Sequence, residues 1–267
     1  MDLKYFDIHS HLYFPDFDYD REEEIKKIKE NKIGTISIGT DLETSKQAIK
    51  LAEENEYFFA TVGEHPGYIK TGSILNPEIT NLANHKKVVA IGECGFDYFR
   101  LDGDLEAIKK AQRQIFEEEI KISLEIQKPL MLHIRPSKNS MDAYLDTLEV
   151  LEYVNKMEGD RLVGNAHFFA GDSEILKRFL NIGFSISFTG VITFTNDYDK
   201  FIKYTPIERI MSETDSPFVA PEPYRGKRNS PLFVPEVVKK IAEIRGEDLD
   251  SVREKLLQNA IKFFKIK

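Results

Sequence analysis

The strongest constraint on the fold is a regular alternation of short apolar runs with longer amphipathic segments. Eight runs predict strands, because they are short, apolar and rich in β-branched residues: Leu3–His9, Thr35–Gly39, Phe58–Val62, Val88–Gly92, Pro129–Ile134, Leu162–His167, Phe184–Phe188 and Arg209–Ser212. The segments between them predict helices: Asp20–Asn31, Leu42–Asn55, Ile74–His85, Asp104–Gln127, Ser140–Met157, Ser173–Asn181 and Asp197–Tyr204. Two further helices, Val234–Arg245 and Leu249–Phe264, are predicted after the eighth run.

This alternation predicts an α/β fold with a parallel sheet, since parallel strands need crossover connections. Eight such units are the number that closes a TIM-like (β/α)8 barrel. An open doubly wound sheet has the same alternation and remains the competing fold at this point. No linker or low-complexity stretch divides the sequence, so we expect a single domain over residues 1–267.

Composition narrows the class of protein. The chain carries a net charge of -8, which argues against a protein that coats duplex nucleic acid but not against an enzyme that captures one nucleic-acid end. No run approaches the roughly 18 apolar residues of a membrane span, and the N-terminus has no signal-peptide pattern. A single cysteine, Cys94, is typical of a reducing compartment. We therefore expect a cytoplasmic protein without a membrane partner.

The histidines are not scattered. Five of the six fall at or just beyond the C-terminal ends of predicted strands, namely His9, His11, His65, His133 and His167, whereas His85 lies in a polar segment. In a parallel barrel these strand ends meet at one mouth, where active sites are built. The pattern therefore predicts a polar site at the C-terminal mouth of the barrel.

The ends of the first and fourth predicted strands carry side chains that commonly bind metals. His9 and His11 are two residues apart, so both rings point to the same side of a strand and can reach one ion. Glu93 follows four apolar residues, a costly place for a charge that meets no cation, and its two oxygens could bridge two metals. The alternatives are ordinary half-buried histidines and a solvated loop glutamate.

Three further residues extend this set. His133 and His167 close the fifth and sixth predicted strands, and Asp215 follows the eighth. Each alone could be a satisfied core histidine or a turn residue, but together they offer enough ligands for two divalent ions. Two such ions, two carboxylates and one hydroxide leave a single positive charge, which favours a phosphodiester over a neutral amide as substrate.

These residues lie in segments that resemble the TatD family of metal-dependent deoxyribonucleases, within the amidohydrolase superfamily. The similar segments follow the family order along nearly the whole chain: Asp-Ile-His-Ser-His (7–11), Gly-Glu-His-Pro (63–66), Ile-Gly-Glu-Cys-Gly-Phe-Asp-Tyr (91–98), Gln112–Phe116, Pro-Leu-Met-Leu-His-Ile-Arg (129–135), His-Phe-Phe-Ala-Gly (167–171), Phe-Ser-Ile-Ser-Phe-Thr-Gly (184–190), Glu-Thr-Asp-Ser-Pro (213–217) and Arg225–Pro231. The resemblance implies a TIM-like barrel with a divalent-metal site at its mouth.

The resemblance also implies roles for individual residues. It places His9, His11 and Asp215 on one ion, His133 and His167 on the other, and Glu93 as the bridge between them. Asp215 and Glu93 are the implied catalytic residues, with Asp215 orienting or deprotonating water. His65 and Arg135 are implied phosphate contacts; their alternatives are a turn residue before Pro66 and a surface salt bridge.

The expected function is a metal-dependent hydrolase that cleaves DNA phosphodiester bonds as an exonuclease, acting on a single strand or an end. Its cofactors would be two divalent ions, Zn, Mn or Mg. The alternative is an amidohydrolase acting on a cyclic amide, lactone or small phosphoester. Two departures from the family concern substrate preference: Pro136-Ser137 follows Arg135 where relatives read Asp-Ala, and Phe168 replaces a frequent cysteine. The basic block Tyr224–Asn229 is either a nucleic-acid contact or a solvated loop.

Overall fold

Eight strands form one sheet in the computed structural model, which describes residues 2–266. They are β1 Tyr5–Ser10, β2 Ile33–Ile38, β3 Phe58–Val62, β4 Val88–Asp97, β5 Leu130–Arg135, β6 Gly164–Ala166, β7 Ser185–Phe188 and β8 Ile210–Ser212. Almost all of their residues are buried. A parallel sheet covered by helices has this property, which explains why the strands appear in the sequence as continuous apolar runs.

The described residues contain nine helices: α1 Arg21–Glu30, α2 Leu42–Glu53, α3 Pro77–Ala83, α4 Leu105–Ile126, α5 Asp142–Glu158, α6 Ser173–Asn181, α7 Asp199–Tyr204, α8 Val234–Arg245 and α9 Leu249–Phe263. Several begin at an aspartate whose side chain accepts a hydrogen bond from a first-turn backbone N–H, at Asp41, Asp104, Asp172 and Asp248. None of the helices in residues 2–266 combines the length and apolar character needed to span a bilayer.

The sheet closes on itself. Each strand pairs in parallel with the next one along the chain, from β1 to β8. The two edges meet where Ser10 and Ser216 form a parallel bridge. There the His11 N–H donates to Ser216 O at 2.8 Å, and the Asp215 N–H donates to His9 O at 2.9 Å. The result is a nearly closed (β/α)8 barrel, so the TIM-like prediction is confirmed and the doubly wound alternative is wrong.

Two clusters of buried apolar side chains hold the barrel together. The larger cluster includes residues from all nine helices and from the strands beneath them, with Phe96, Phe116, Phe179 and Phe184 among its largest members. The smaller one joins Phe6 and Ile8 of β1 to the C-terminal half of α9. The last helix therefore packs against the first strand, which stabilises the closure of the barrel.

The predicted element boundaries differ from the observed ones where distant contacts decide them. The predicted helix Ile74–His85 is shorter, because Asn76 caps the helix and Pro77 occupies its first position. The predicted fourth strand ends at Gly92, but β4 continues to Asp97 because its last residues pair with β5. Glu93 consequently lies within a strand rather than in the loop after it.

Packing of α4 on β4 is testable at Phe116, which is fully buried with its ring centroid 5.4 Å from that of Phe96. We expect Phe116→Ala to lower the free energy of unfolding by about 3–5 kcal/mol, because it removes apolar contacts and leaves a cavity. Met157→Ala, at a side chain that is 73% exposed, should change it by less than about 0.5 kcal/mol. Urea unfolding measures both, and equal effects would contradict this account of the core.

Candidate metal centre at the barrel mouth

The predicted site residues do converge. Six of them line one cavity of about 730 Å³ at the C-terminal ends of the strands, namely His11, His65, Glu93, His133, His167 and Asp215. Arg135 lines the same cavity. His9 lies beneath it, fully buried, at 3.6 Å from both Glu93 and Asp215. The structure thus brings together side chains that are more than 200 positions apart in the sequence.

One oxygen of Glu93 faces the histidine pair of β1. Glu93 Oε2 lies 3.6 Å from His9 Nε2 and 4.0 Å from His11 Nε2. Asp215 closes this side, with Oδ1 at 3.6 Å from each of the same two nitrogens. The backbone N–H of Glu93 donates to Gly39 O at 3.0 Å, which ties the position of Glu93 to the end of β2.

The other oxygen of Glu93 faces three different rings. Its Oε1 atom lies 2.9 Å from His133 Nδ1, 3.4 Å from His167 Nε2 and 3.6 Å from His65 Nε2. A single carboxylate therefore stands between two groups of imidazoles. This is the arrangement expected of a group that contacts two cations.

Both carboxylates are ionised at neutral pH. Burial opposes ionisation of Glu93, but the four imidazoles around it, with hydrogen bonds from His133 and His167, outweigh burial and hold its pKa well below its usual value. For Asp215, burial is likewise outweighed by the hydrogen bond from His11 and the charges of His167 and His9, so its pKa is lowered. Each is available as a negatively charged oxygen ligand.

Donor atoms in three overlapping groups lie within 4.8 Å of one another and could hold a metal ion: His9, His167 and Asp215; His9, His11 and Glu93; and His65, Glu93 and His133. His9 supplies an independent observation, because both of its ring nitrogens are buried and have no hydrogen-bond partner. An unpartnered buried imidazole beside two carboxylates is costly unless an ion occupies the space between them. The residues therefore fit a divalent metal.

Distances group two residues differently from the prediction. His167 falls in a group with His9 and Asp215, and His65 falls in a group with His133 and Glu93. The resemblance to the TatD family implies instead that His167 shares an ion with His133 and that His65 contacts phosphate. His167 Nε2 is nevertheless 3.4 Å from Glu93 Oε1, so it lies between the two groups. The predicted division of ligands between the ions stays a prediction.

A second layer of polar groups orients the rings. The Tyr13 hydroxyl donates to Ile38 O at 2.6 Å, so at 3.3 Å it is positioned to accept from His11 Nδ1. On the opposite side of the site, Asp97 Oδ2 lies 3.1 Å from His133 Nε2. Partners of this kind fix the tautomer of a histidine and leave the other nitrogen free to bind metal.

Glu213 lies behind the ring of His167, although His167 Nδ1 has no hydrogen-bond partner. Its Oε1 atom lies 3.4 Å from His167 Nδ1 and accepts from the Phe168 N–H at 2.6 Å, while Oε2 accepts from Ser187 Oγ. The sequence predicts neither the contact of Tyr13 with His11 nor a role for Asp97 or Glu213. The latter two do lie inside the quoted segments 91–98 and 213–217, and that position is the signal that could have found them.

Asp7 joins the first and last strands beneath the site. It accepts from the backbone N–H of Thr214 at 2.8 Å and from the Thr214 hydroxyl at 2.6 Å. Burial raises the pKa of the Asp7 carboxyl to about 8, although the hydrogen bonds from Thr214 act in the opposite direction. Because His9 and Asp215 are near neighbours in sequence of Asp7 and Thr214, this contact sets their separation.

The rim of the cavity is aromatic and basic. Arg135 lies over the ring of Phe99 at 4.2 Å, and Arg100 lines the same side. Phe14, Phe168, Tyr198 and Phe218 line other parts of the cavity. The rim thus offers positive charge and ring faces close to the carboxylates and imidazoles.

The basic block Tyr224–Asn229 is partly structural. Arg228 pairs with Asp20 through both of its terminal nitrogens, at 2.6 and 2.8 Å, and lies over the ring of Phe17. Asn229 is buried and donates to backbone oxygens of Thr214 and Phe218. These two residues brace the loop after β8, so only the other basic residues of the block remain candidates for contacts with a substrate.

Known proteins resemble this chain over its whole length. A Bacillus subtilis protein named as an uncharacterized metal-dependent hydrolase, YabD, is 34% identical over 98% of this chain and 99% of its own. The 3'-5' ssDNA/RNA exonuclease TatD of Pantoea ananatis is 31% identical over 97% of this chain and 98% of its own. The crystal structure of YJJV, a TatD homologue from Escherichia coli K12, superimposes with a TM-score of 0.86 at 26% identity and full coverage of both chains.

Barrel, site and relatives together define a metal-dependent hydrolase. The family model described as TatD related DNase matches residues 6–265. The chain belongs to the TatD family, as its sequence segments predict.

The orienting layer is testable through metal affinity. We expect Asp97→Asn to weaken divalent-metal binding by about 10–100-fold, because the amide is a poorer partner for His133 Nε2–H than the carboxylate. Asp146→Asn is the matched control, since Asp146 accepts from the Tyr98 hydroxyl and has no contact with a site histidine. Titration calorimetry with Mn²⁺ or Zn²⁺ gives the affinities, and an unchanged affinity in Asp97→Asn would show that Asp97 does not support a ligand.

Proposed function

We propose that this hydrolase is a nuclease that removes nucleotides from an end of single-stranded DNA. The observation that carries the proposal is Arg135. It lines the same cavity as Glu93, lies on the face of Phe99, and has no carboxylate oxygen within 4.0 Å among residues 2–266. A guanidinium without a counter-charge, beside a metal centre, is suited to a phosphate oxygen of the substrate.

The proposed ligands are His9, His11 and Asp215 for one ion and His133 and His167 for the other, with Glu93 between them. Zn, Mn and Mg all accept mixed imidazole and carboxylate ligands to different degrees. When bound, two divalent ions would supply Lewis acidity, lowering the pKa of water and stabilising negative charge on phosphate oxygens.

The residues of the chain contribute position and proton transfer. Asp215 is ionised and would hold, and accept a proton from, a water molecule next to the scissile phosphate. Glu93, fixed through its backbone N–H to Gly39 O, would set the spacing of the site. His65 and Arg135 would contact the non-bridging oxygens of the phosphate.

The size and lining of the cavity support the end of a single nucleic-acid strand as the substrate. Its volume of about 730 Å³ is that of a pocket for a small molecule, so it would accept a nucleotide or two rather than a duplex. Its ring faces at Phe14, Phe168, Tyr198 and Phe218 could stack on unpaired bases, at about 1–3 kcal/mol per base. The name of the Pantoea ananatis relative, an ssDNA/RNA exonuclease, is consistent with this substrate class.

Two further expectations from the sequence, a single domain over residues 1–267 and a cytoplasmic location, stay predictions.

Glu93→Ala tests the assignment of the centre. We expect it to reduce metal-dependent cleavage of end-labelled single-stranded DNA by about 10³-fold or more, because it removes the carboxylate that faces both groups of histidines. Circular dichroism should show that the variant remains folded. Glu118→Ala, at an exposed position of α4, should retain full activity.

The same assay distinguishes the alternative activity. Dihydropyrimidine and lactone substrates are tested with the metal-loaded protein beside single-stranded DNA. Turnover of a cyclic amide or lactone, with the DNA left intact, would reject the nuclease proposal in favour of the amidohydrolase alternative. Full DNA cleavage by Glu93→Ala would reject the proposed centre itself.

Arg135 is testable through salt dependence. We expect Arg135→Ala to raise KM for an oligonucleotide and to reduce the slope of log kcat/KM against log salt concentration by about 0.7, the value for one lost phosphate contact on a single strand. Arg113→Ala is the control, because Arg113 pairs with Glu117 and Glu149 on the outside of the barrel. Identical slopes for the two variants would rule out a phosphate contact at Arg135.

A further inference from the structure

Three arginines have no acceptor for their N–H groups. The sequence contains eleven arginines, and eight of them pair with a carboxylate or donate to a backbone carbonyl. Arg100, Arg135 and Arg225 do neither among residues 2–266. Each lies instead over the face of an exposed aromatic ring, which is Phe99 for the first two and Phe194 for Arg225.

The contact of Arg225 with Phe194 is the tightest of the three. The guanidinium carbon lies 3.5 Å from the centroid of the ring, and the ring itself is 39% exposed. A stack of this kind uses the face of the guanidinium, whereas its five N–H donors lie in the plane and point outward. Arg225 is therefore held in place with its donors free.

This pair lies at the barrel mouth but outside the metal cavity. Arg225 belongs to the loop between β8 and α8, and Phe194 to the segment between β7 and α7. Tyr198 and Phe218 belong to the same two connections and line the cavity, whereas Phe194 and Arg225 do not. The pair thus continues the aromatic lining of the cavity outward on this side, and we call Phe194 and Arg225 the outer subsite.

The loop that carries Arg225 is held by other side chains. The ring of Tyr224 stacks on Phe233, with centroids 3.8 Å apart and planes inclined by 2°. The Glu222 N–H donates to Thr193 Oγ1 at 2.8 Å, which joins the loop after β8 to the segment after β7. These contacts fix the loop without the N–H donors of Arg225, so those donors remain available to a ligand.

The outer subsite stands across the mouth from the other unpaired arginines. In a closed ladder of eight strands β8 is four strands from β4 in either direction, so Arg225 and Arg100 lie on opposite sides. A single strand carries one phosphate per nucleotide. When its scissile phosphate lies in the cavity beside Arg135, its neighbouring phosphates lie outside.

We propose that Arg225, seated on Phe194, binds a backbone phosphate of the substrate strand outside the metal cavity. The inference rests on the proposed function, since it takes a single strand as the ligand. It deepens that function by naming the substrate class, which is a strand long enough to reach both the cavity and the outer subsite. A ligand that ends within the cavity makes no contact with Arg225.

Chain length separates the two subsites. Dithymidylate and octathymidylate are compared as substrates of the metal-loaded protein. We expect Arg225→Ala to lower kcat/KM for octathymidylate by about tenfold, because it removes a charge-assisted contact, and the loss to disappear for dithymidylate. Arg253→Ala is a control, because Arg253 pairs with Asp250 on α9.

Neutral linkages locate the phosphate that is bound. In a set of octathymidylates, each linkage in turn is a methylphosphonate, which removes the charge of one phosphate. We expect one position beyond the cleaved linkage at which this lowers kcat/KM of the unmodified protein by about tenfold, but that of Arg225→Ala by less than about twofold. Lys227→Ala removes a charge from the same loop and should keep the tenfold effect.

Phe194 is the positioning residue for Arg225. Phe194→Leu keeps an apolar side chain but removes the ring face, and we expect it to lower kcat/KM for octathymidylate by about two- to fivefold. Phe194→Tyr retains the ring face and should restore the value of the unmodified protein. Dithymidylate again distinguishes the roles, because a general disturbance of the loop would lower its cleavage as well.

A tenfold methylphosphonate effect that persists at every position in Arg225→Ala, or an equal loss on both chain lengths, would overturn the inference and leave the nuclease proposal standing. If the metal-loaded protein cleaves no oligonucleotide, fluorescence anisotropy measures its binding of the same intact strands. Dependence of one position on Arg225 would then keep the outer subsite and reject the nuclease activity alone. Absence of that dependence would reject the outer subsite too.

Discussion

The buried carboxylate of Glu93 is the constraint on which the rest of the site depends. A charge that is 3% exposed within an apolar strand is stable only if hydrogen-bond donors or cations surround it, and an uncompensated one costs several kcal/mol. The surrounding groups come from β1, β5 and from the loops after β3, β6 and β8. None of these strand ends can shift without disturbing the same carboxylate. The Asp7–Thr214 contact and the Ser10–Ser216 bridge together join β1 to β8, which are the two edges of the ladder of paired strands.

Much of this architecture could be predicted from the sequence, because the information is local. Strands buried on both faces have an apolar pattern that does not depend on their neighbours, so all eight were predicted in the right order. Their ends depend on pairing across the sheet. The register of Cys94 with Leu132 and of Asp97 with Arg135 extends β4 beyond the predicted end at Gly92, and no pattern within residues 88–97 contains that pairing. In the same way, Asn76 and Pro77 shorten a helix whose periodicity suggested an earlier start.

The residues of the site, like the strands, could be predicted from the sequence, but their individual roles could not. Position at a strand end is enough to bring His9, Glu93, His133 and Asp215 to one mouth, so a list of residues followed from the sequence. Which ring nitrogen of each histidine faces the metal site did not follow from the sequence, because it depends on the group that lies behind the ring. Tyr13, Asp97 and Glu213 lie behind rings as far as 46 positions away in the chain, and these contacts appear only when the fold is known. The same limit applies to Arg228, whose basic neighbours in the sequence suggested a nucleic-acid contact but whose partner is Asp20.

The departures from the family bear on which substrate the rim selects. Where the resemblance to the family implies Asp-Ala after the arginine, Pro136 lines the cavity and Ser137 donates through its N–H and hydroxyl to Asp142 at the start of α5. The rim next to Arg135 therefore lacks the negative charge that an aspartate at position 136 would add, and the guanidinium rests on Phe99 instead. At the other departure, Phe168 contributes an apolar ring to the cavity lining. Pro136 adds no charge to the entrance and Phe168 adds a ring face, so under the proposed function both suit an anionic substrate with unpaired bases better than a small neutral ring. On that proposal the choice of substrate depends on the rim, because the imidazoles and carboxylates beneath it would hold the metal for either kind of substrate.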